Sequence, residues 1–357
     1  MKVVVANLTA GGLSGGYRKY LVRLMPLLAV DPRLTRLTVF VPGPVDIDPS
    51  VDVRSWEPRD AQRGHAALAR DIAALRPDVV FVPTARRADF ASVPVVTMVR
   101  NMEPLMVPFG GNTVREGLKN VARAWEAQRA CRAATRIVAV SSHVRDFIVS
   151  RWHVDPARVG LAYHGVDPPE DTPTPAGGPP TLFTAGSIRP ARGLEDAIRA
   201  LPLLGREVRL EIAGRIDPGC ERYAAGLRRL VADLGVAGRV TWAGHLDSEA
   251  MSRMFRTASV FIMTSRAEAC PNTALEAMSY GCAIVSVDHA PMPEFFLDTA
   301  RYYTAGDPRA LARNVEAIVD DGAERDRLGR AARCRARAFT WEATRDCTIA
   351  ELERAVA

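Results

Sequence analysis

The chain has 357 residues, 48% hydrophobic and 25% charged, with 47 lysines and arginines against 41 aspartates and glutamates, a formal net charge of +6. This is a globular composition, and the length favours two domains over one. No uncharged apolar run approaches the ~20 residues of a membrane-spanning helix, and the stretch from Met1 to Leu8 is too short for a signal-peptide core, so a cytoplasmic protein is expected.

Lysine occurs only at positions 2, 19 and 119, so almost all of the basic load is arginine. The positive excess favours anionic partners, either nucleotide phosphates or an anionic lipid surface. Nucleic acid is set aside, because no basic run is interleaved with aromatics. The six cysteines, at 131, 220, 270, 282, 334 and 347, form no Cys-x-x-Cys pair. Free thiols in a reducing compartment are expected, and no metal cluster.

In chain order, strands are predicted over residues 3–5, 37–41, 79–82, 95–99 and 137–140, and helices over 18–30, 64–75 and 115–132. Residues 167–180 are rich in proline and glycine and read as a linker. The alternation then restarts, with strands over 181–185, 209–213, 240–242, 260–263 and 283–287. Helices are predicted near 194–201, 220–234, 248–257 and 309–320. Such alternation implies βαβ units, parallel sheets and two α/β domains of similar size. Ligands of such sheets bind outside the carboxyl ends of the strands.

Thr9-Ala-Gly-Gly-Leu-Ser-Gly-Gly follows the first strand and precedes a helix. Gly11, Gly12, Gly15 and Gly16 would let backbone approach a phosphate or sugar closely; a plain turn is the alternative. The spacing is no dinucleotide fingerprint, and the second strand ends at Phe40-Val41-Pro42 without the expected acid. In the 115–132 helix, Leu118, Val121, Ala122 and Trp125 share one face against Arg123, Arg129 and Arg132. A core face is favoured there over an interfacial helix on acidic lipid.

Residues 265–281, Ser-Arg-Ala-Glu-Ala-Cys-Pro-Asn-Thr-Ala-Leu-Glu-Ala-Met-Ser-Tyr-Gly, carry two carboxylates with seven residues between them. Pro271 keeps Glu268 and Glu276 off one uninterrupted helix. A helix is predicted to start near Asn272-Thr273, with Gly281 as its stop, Glu268 on the entering loop and Glu276 in the first turn. The N–H groups of about Asn272, Thr273, Ala274 and Leu275 would then seat an anion. The competing reading is a capping box from Thr273 to Glu276, with Glu268 a solvated charge.

The 265–281 segment resembles the Glu-x7-Glu signature of retaining glycosyltransferases of the GT-B fold, family four (glycosyl transferases group 1), and the following 283–288 run and Pro293-Glu294 fit that family. The resemblance covers nearly the whole chain. It implies two Rossmann-like α/β domains facing across a cleft. These would be an acceptor-binding domain over 1–168, a nucleotide-sugar-binding domain over 169–340, and a C-terminal helix over 341–357 crossing back to the first. It implies transfer of a sugar, with retention, from a nucleoside-diphosphate sugar to a hydroxyl of a glycan or lipid-linked acceptor in cell-surface polysaccharide or glycoconjugate synthesis. No cofactor or metal is expected.

In Gly186-Ser-Ile-Arg-Pro-Ala-Arg-Gly193 the family commonly shows two cations that clamp the donor pyrophosphate. Here Ser187 stands in place of the usual arginine and Arg192 in place of the lysine, and Arg189 would restore the missing charge. Arg192 and Arg189 would stabilise the departing diphosphate. Glu268 would grip sugar hydroxyls and Glu276 the ribose. Ser187, Asn272, Thr273, Ala274 and the backbone at Leu246 would complete the donor site. His143 and His164 are read as structural, and His245 as solvated or packed. Arg100 and Asn101 occupy the acceptor-side region where many members place a histidine. Asp46-Ile-Asp48 spells the metal motif of the other glycosyltransferase fold, but it lies between prolines in a loop and is read as chance. A phosphorylase of the same two-domain fold is excluded, because no lysine follows Lys119 to carry pyridoxal phosphate. A catalytically weak GT-B scaffold that binds nucleotide or glycan stays open.

Overall fold

The computed structural model describes all residues except 10–14, 64, 170–177 and 206, and leaves out the side chains of residues 62 and 63. In the first half of the chain come β1 (Lys2–Ala6), α1 (Gly15–Ala29), β2 (Arg36–Val41), β3 (Asp52–Ser55), α2 (Ala66–Ala74), β4 (Val79–Val82) and β5 (Val95–Val99). The short α3 (Glu103–Met106), α4 (Val114–Ala133), β6 (Arg136–Ala139), α5 (Ser142–Trp152) and β7 (Val159–Leu161) follow. The second half runs β8 (Thr181–Ala185), α6 (Leu194–Ala200), β9 (Arg209–Ala213), α7 (Glu221–Asp233), β10 (Val240–Gly244), α8 (Ser248–Thr257) and β11 (Val260–Met263). It continues through α9 (Asn272–Ser279), β12 (Ile284–Val287), α10 (Met292–Phe296), β13 (Ala300–Tyr303), α11 (Pro308–Val319), α12 (Gly322–Ala336) and α13 (Trp341–Val356).

The strands form two sheets, one ordered β3-β2-β1-β4-β5-β6-β7 and the other β10-β9-β8-β11-β12-β13. Their pairings are parallel. Both are open Rossmann-like sheets, and their central strands are continuous apolar runs because helices cover both faces. Every residue of β4 and β11 is buried.

Chain contacts divide the molecule into two compact units, residues 1–102, 121–165 and 340–357, and residues 103–120 and 166–339. Residues 103–120 thus depart from the expected partition and group with the second half of the chain. Their side chains explain it: Glu103 pairs with Arg189 at 2.8 Å. A Cβ on Gly111 would lie 2.9 Å from Pro190.

Within the first unit α13 packs on α1 and β6. Thr344 Oγ1 donates to the Tyr163 carbonyl at 2.7 Å, and Arg136 pairs with the buried Glu351 at 2.6 Å. Trp341 stands edge-on to Tyr20, and the buried His164 ring lies 5.0 Å from the same tyrosine, so His164 is a packing residue. His143 is the second residue of α5, whose cap is Ser141, accepting from Val144 N at 3.2 Å. Asp46 and Asp48 lie in loop, with Asp48 accepting from Ser50 N at 2.9 Å.

Helix α4 corrects the expected core face. Gly117, Asn120, Ala127, Ala130 and Cys131 are buried, while Leu118, Val121, Ala122 and Trp125 are exposed. The small residues set this packing, since the Phe109 ring lies directly against Gly117 and leaves no room for a Cβ there. Among the described residues no helix is long and apolar enough to cross a membrane.

Candidate active site

The carboxyl end of β8 is where the chemistry collects. Gly186, at φ 141°, donates its N–H to the Ala213 carbonyl at 2.9 Å, and Gly214 N–H reaches the Gly244 carbonyl at 2.7 Å. These contacts join the ends of β8, β9 and β10. The chain then passes Ser187, which is half-buried, and the buried Ile188. Arg189 is extended and caps the 3-10 turn Pro190–Arg192, which ends on Gly193 at φ 60°.

That turn is knitted to the loop after β11, the neighbour of β8. Arg266 N–H donates to the Ala191 carbonyl at 2.8 Å, and Thr264 Oγ1 donates to the Arg192 carbonyl at 2.5 Å. A Cβ on Gly193 would lie 2.5 Å from the Thr264 carbonyl oxygen, so the close approach itself requires glycine.

Arg192 and Glu268 meet in this corner, both largely buried. Arg192 Nη1 donates to Glu268 Oε1 at 2.5 Å and to Ser265 Oγ at 3.1 Å. The guanidinium lies flat over Gly186, where a Cβ would stand 2.7 Å from Cζ and 2.9 Å from Nε. Arg192 Nε is buried with no acceptor among the described residues. A buried charged donor left without an acceptor marks a place for a missing partner. Sequence reasoning placed both ends of this pair but not Ser265 between them, although Ser265 opens the same 265–281 segment.

Arg189 goes elsewhere. Its guanidinium sits between Glu103 at 2.8 Å and Asp217 at 3.5 Å. Two carboxylates meet its Nη1, while its Nε, like that of Arg192, is buried with no acceptor among the described residues; Arg192 is the cation that this turn brings beside Glu268. Neither partner was foreseen: Glu103 is 86 residues away in sequence and Asp217 sits in a loop with no motif.

Helix α9 begins at Asn272 with Pro271 as its cap, and no side chain caps it. The cap position is therefore Pro271, one residue before the expected start, and not Thr273. Thr273 Oγ1 instead donates to the Ala185 carbonyl at 3.3 Å, tying the helix start to the end of β8. Glu276 is the fifth helical residue, one position beyond the expected first turn, and is half-buried. The anion seat is also narrower than expected. Asn272 N–H is taken by the Cys270 carbonyl, and the N–H groups of Ala274 and Leu275 by the Pro271 carbonyl, each at 2.9 Å. Ala274 is buried, and Cys270 is buried and in no disulfide. Leu246 follows Gly244 at the end of β10 and is half-buried, whereas His245 is exposed.

In the first unit Arg100 lies at the end of β5, its guanidinium 3.8 Å from the centre of the buried Tyr17 ring of α1. Burial pushes the Tyr17 hydroxyl well above its ordinary pKa. Asn101 is exposed beside it. Gly11 and Gly12 lie outside the described residues. Gly15 and Gly16 open α1 and are exposed, and a side chain at Gly15 would meet nothing within 4 Å. His65 packs edge-on to Trp56 at 5.2 Å, and Trp56 Nε1 donates to the Asn7 carbonyl at 2.9 Å. Burial lowers the His65 pKa below the ordinary imidazole value. Among the described residues no group of three His, Cys, Asp or Glu could hold a metal ion.

The family model described as Glycosyl transferases group 1 matches residues 170–335, and that described as Glycosyltransferase Family 4 matches residues 22–170. D-inositol 3-phosphate glycosyltransferase of Streptomyces coelicolor is 28% identical over 244 residues, covering 59% of this chain and 53% of that protein. The enzyme of the same name from Pseudarthrobacter chlorophenolicus is 30% identical over 240 residues, covering 62% and 56%. The chain thus spans about half the length of these relatives. In fold it is similar to sucrose-phosphate synthase from Thermosynechococcus elongatus, with a TM-score of 0.80, 17% identity and 99% and 98% of the two chains covered. It is also similar to Anabaena HepE in complex with UDP-glucose, with a TM-score of 0.78, 17% identity and 99% of each chain covered. A Glu-x7-Glu segment folded at the carboxyl edge of a Rossmann-like sheet, with family matches from residue 22 to residue 335, makes this chain a member of the family-four glycosyltransferases of the GT-B fold.

Proposed function

We propose that the protein transfers a sugar, with retention of anomeric configuration, from a nucleoside-diphosphate sugar to a hydroxyl of a glycan or lipid-linked acceptor in cell-surface glycan synthesis. The observation that carries this is the Arg192–Glu268 pair at the end of β8, with the buried Nε of Arg192 lacking an acceptor. Negative charge builds on the diphosphate as its bond to the sugar breaks, so a preorganised cation there favours the transition state over the ground state. Arg192 fills that role. Glu268 holds Arg192 in place and receives sugar hydroxyls from the donor. Ser187 and the start of α9 at Asn272 and Thr273 line the phosphate end, and Glu276 takes the ribose. The Leu246 backbone meets the base. Arg100 and Asn101 serve the acceptor. With Arg192 supplying the positive charge, the transfer needs no metal. UDP in the HepE complexes makes a uridine donor the first to try.

A catalytically weak scaffold is favoured by one specific observation, the engagement of Arg189 by Glu103 and Asp217, which leaves a single cation at the donor phosphates. One experiment separates the two. A panel of nucleotide sugars is screened by thermal shift, and each stabilising donor is followed by proton NMR for hydrolysis and transfer. Release of nucleoside diphosphate with an α-linked product from an α-linked donor is expected. Stabilisation by nucleotide without turnover on any acceptor tried would favour the scaffold, and an inverted product would refute retention.

A further inference from the structure

Helix α4 carries a surface that sugar transfer does not explain. Val114, Leu118, Val121 and Trp125 are 72%, 60%, 46% and 59% exposed. Their spacing of four, three and four residues puts them in one stripe along one side of a single helix. Phe109, half-exposed, lies against the same helix at Gly117 and widens the apolar band. The opposite side is already packed through Gly117, Asn120, Ala127, Ala130 and Cys131, so the stripe is not a core face turned outward by mistake.

The charge around the stripe is one-sided. The helix carries five cations, Arg115, Lys119, Arg123, Arg129 and Arg132, all exposed, against Glu116 and Glu126. Both acids are engaged by cations, Glu116 by Lys119 at 3.0 Å and Glu126 by Arg86. At about 100° per residue, Arg129 and Arg115 lie to one side of the apolar row and Arg132 falls in line with it, whereas Lys119 is turned toward the packed side. The guanidinium of Arg129 stacks on Trp125 at 4.5 Å, an aromatic ring and a cation side by side. An exposed apolar stripe with an indole in it and cations along its flank complements one partner, the boundary between acyl chains and anionic headgroups of a bilayer.

We propose that α4 docks the protein on an anionic membrane surface, with Leu118 and Trp125 entering the interface and Arg115, Arg129 and Arg132 meeting the headgroups. This goes beyond the donor chemistry and does not depend on it. The test is sedimentation with vesicles of phosphatidylcholine alone or mixed with phosphatidylglycerol, across a salt series. Wild-type protein should bind the anionic vesicles on the order of tenfold or more tightly than the neutral ones, and salt should weaken that binding. Leu118→Glu/Trp125→Glu should lose binding at all salt concentrations, and Arg115→Glu/Arg132→Glu should lose the preference for anionic lipid. Circular dichroism melts matching wild type establish that the variants fold, and the salt series on wild type stands without them. Equal binding to both vesicles, or folded variants that bind like wild type, would overturn the proposal. So would concentration-dependent self-association abolished by Leu118→Glu/Trp125→Glu without lipid binding, which would assign the stripe to a second copy of the chain.

Discussion

Replacing Gly186 by alanine displaces the cation of the candidate site without removing its charge. Two separate costs follow from the structure. Gly186 sits at φ 141°, where an L-residue is strained by about 1–3 kcal/mol. At roughly 2–4 °C per kcal/mol for a domain of 150–250 residues, the melting temperature should fall by about 2–12 °C. The new Cβ would also lie 2.7 Å from Arg192 Cζ and 2.9 Å from Nε. Ordinary carbon contacts need about 3.5–4.0 Å, so the guanidinium must retreat by about 1 Å. Because it is the far end of a flexible side chain, that retreat adds little to the stability cost. It should cost activity instead, since a misplacement of about 1 Å costs about 10²-fold in rate. The assay is kcat for transfer with the donor found in the panel, paired with a thermal melt. Gly186→Ala combined with Arg192→Ala should turn over no more slowly than Arg192→Ala alone, because the displaced group is then absent. A Gly186→Ala protein with a lowered melting temperature and wild-type kcat would refute the placement of Arg192 at the reacting centre.

Arg192→Ala should itself lower kcat by roughly 10²–10³, as for loss of other preorganised electrostatic contacts; a normal kcat with only a raised KM would mean uniform binding instead. Glu276→Ala should weaken donor binding by about 1–3 kcal/mol by calorimetry if ribose hydroxyls lose their acceptor, and unchanged affinity in a folded variant would remove Glu276 from the site. Turnover should persist in excess chelator, and its complete loss with restoration by magnesium or manganese would contradict a metal-free transfer. In the first unit the Arg33 guanidinium, hydrogen-bonded through Nε and Nη2 at 2.8 Å each, holds the Asp31 carboxyl down to about 2 from 3.8. A lowered folded-state pKa stabilises above the unfolded value and is lost as pH falls through the folded one. Asp31→Asn should therefore shrink the drop in denaturant stability between pH 4 and pH 2, and an unchanged drop would rule Asp31 out as a source of it.

The sequence by itself determined the alternation of elements and the central strands. Strands such as β4 and β11 are short apolar runs buried on both faces, and that burial is written into their composition. The strands it did not reveal, β3, β7 and β13, are all sheet edges. Their half-buried residues, as in Asp-Val-Arg-Ser of β3, carry no hydrophobic run to read. Helix α12 was equally silent: it is strongly polar and packs on α9 through the close approach of Gly329 to the Gly281 carbonyl. In the candidate site, the helix start was legible from residue type and local spacing, whereas Glu268 and Arg192 were singled out through the family resemblance of their segments. Tertiary structure alone decided how they are used. It set Arg192 against Glu268 over Gly186 and turned Arg189 onto a carboxylate 86 residues away. It also rotated α4 so that its small residues pack and its apolar stripe faces out. Each of these depends on which side chains distant in sequence fill the same space, and helical period or residue type along the chain does not encode that.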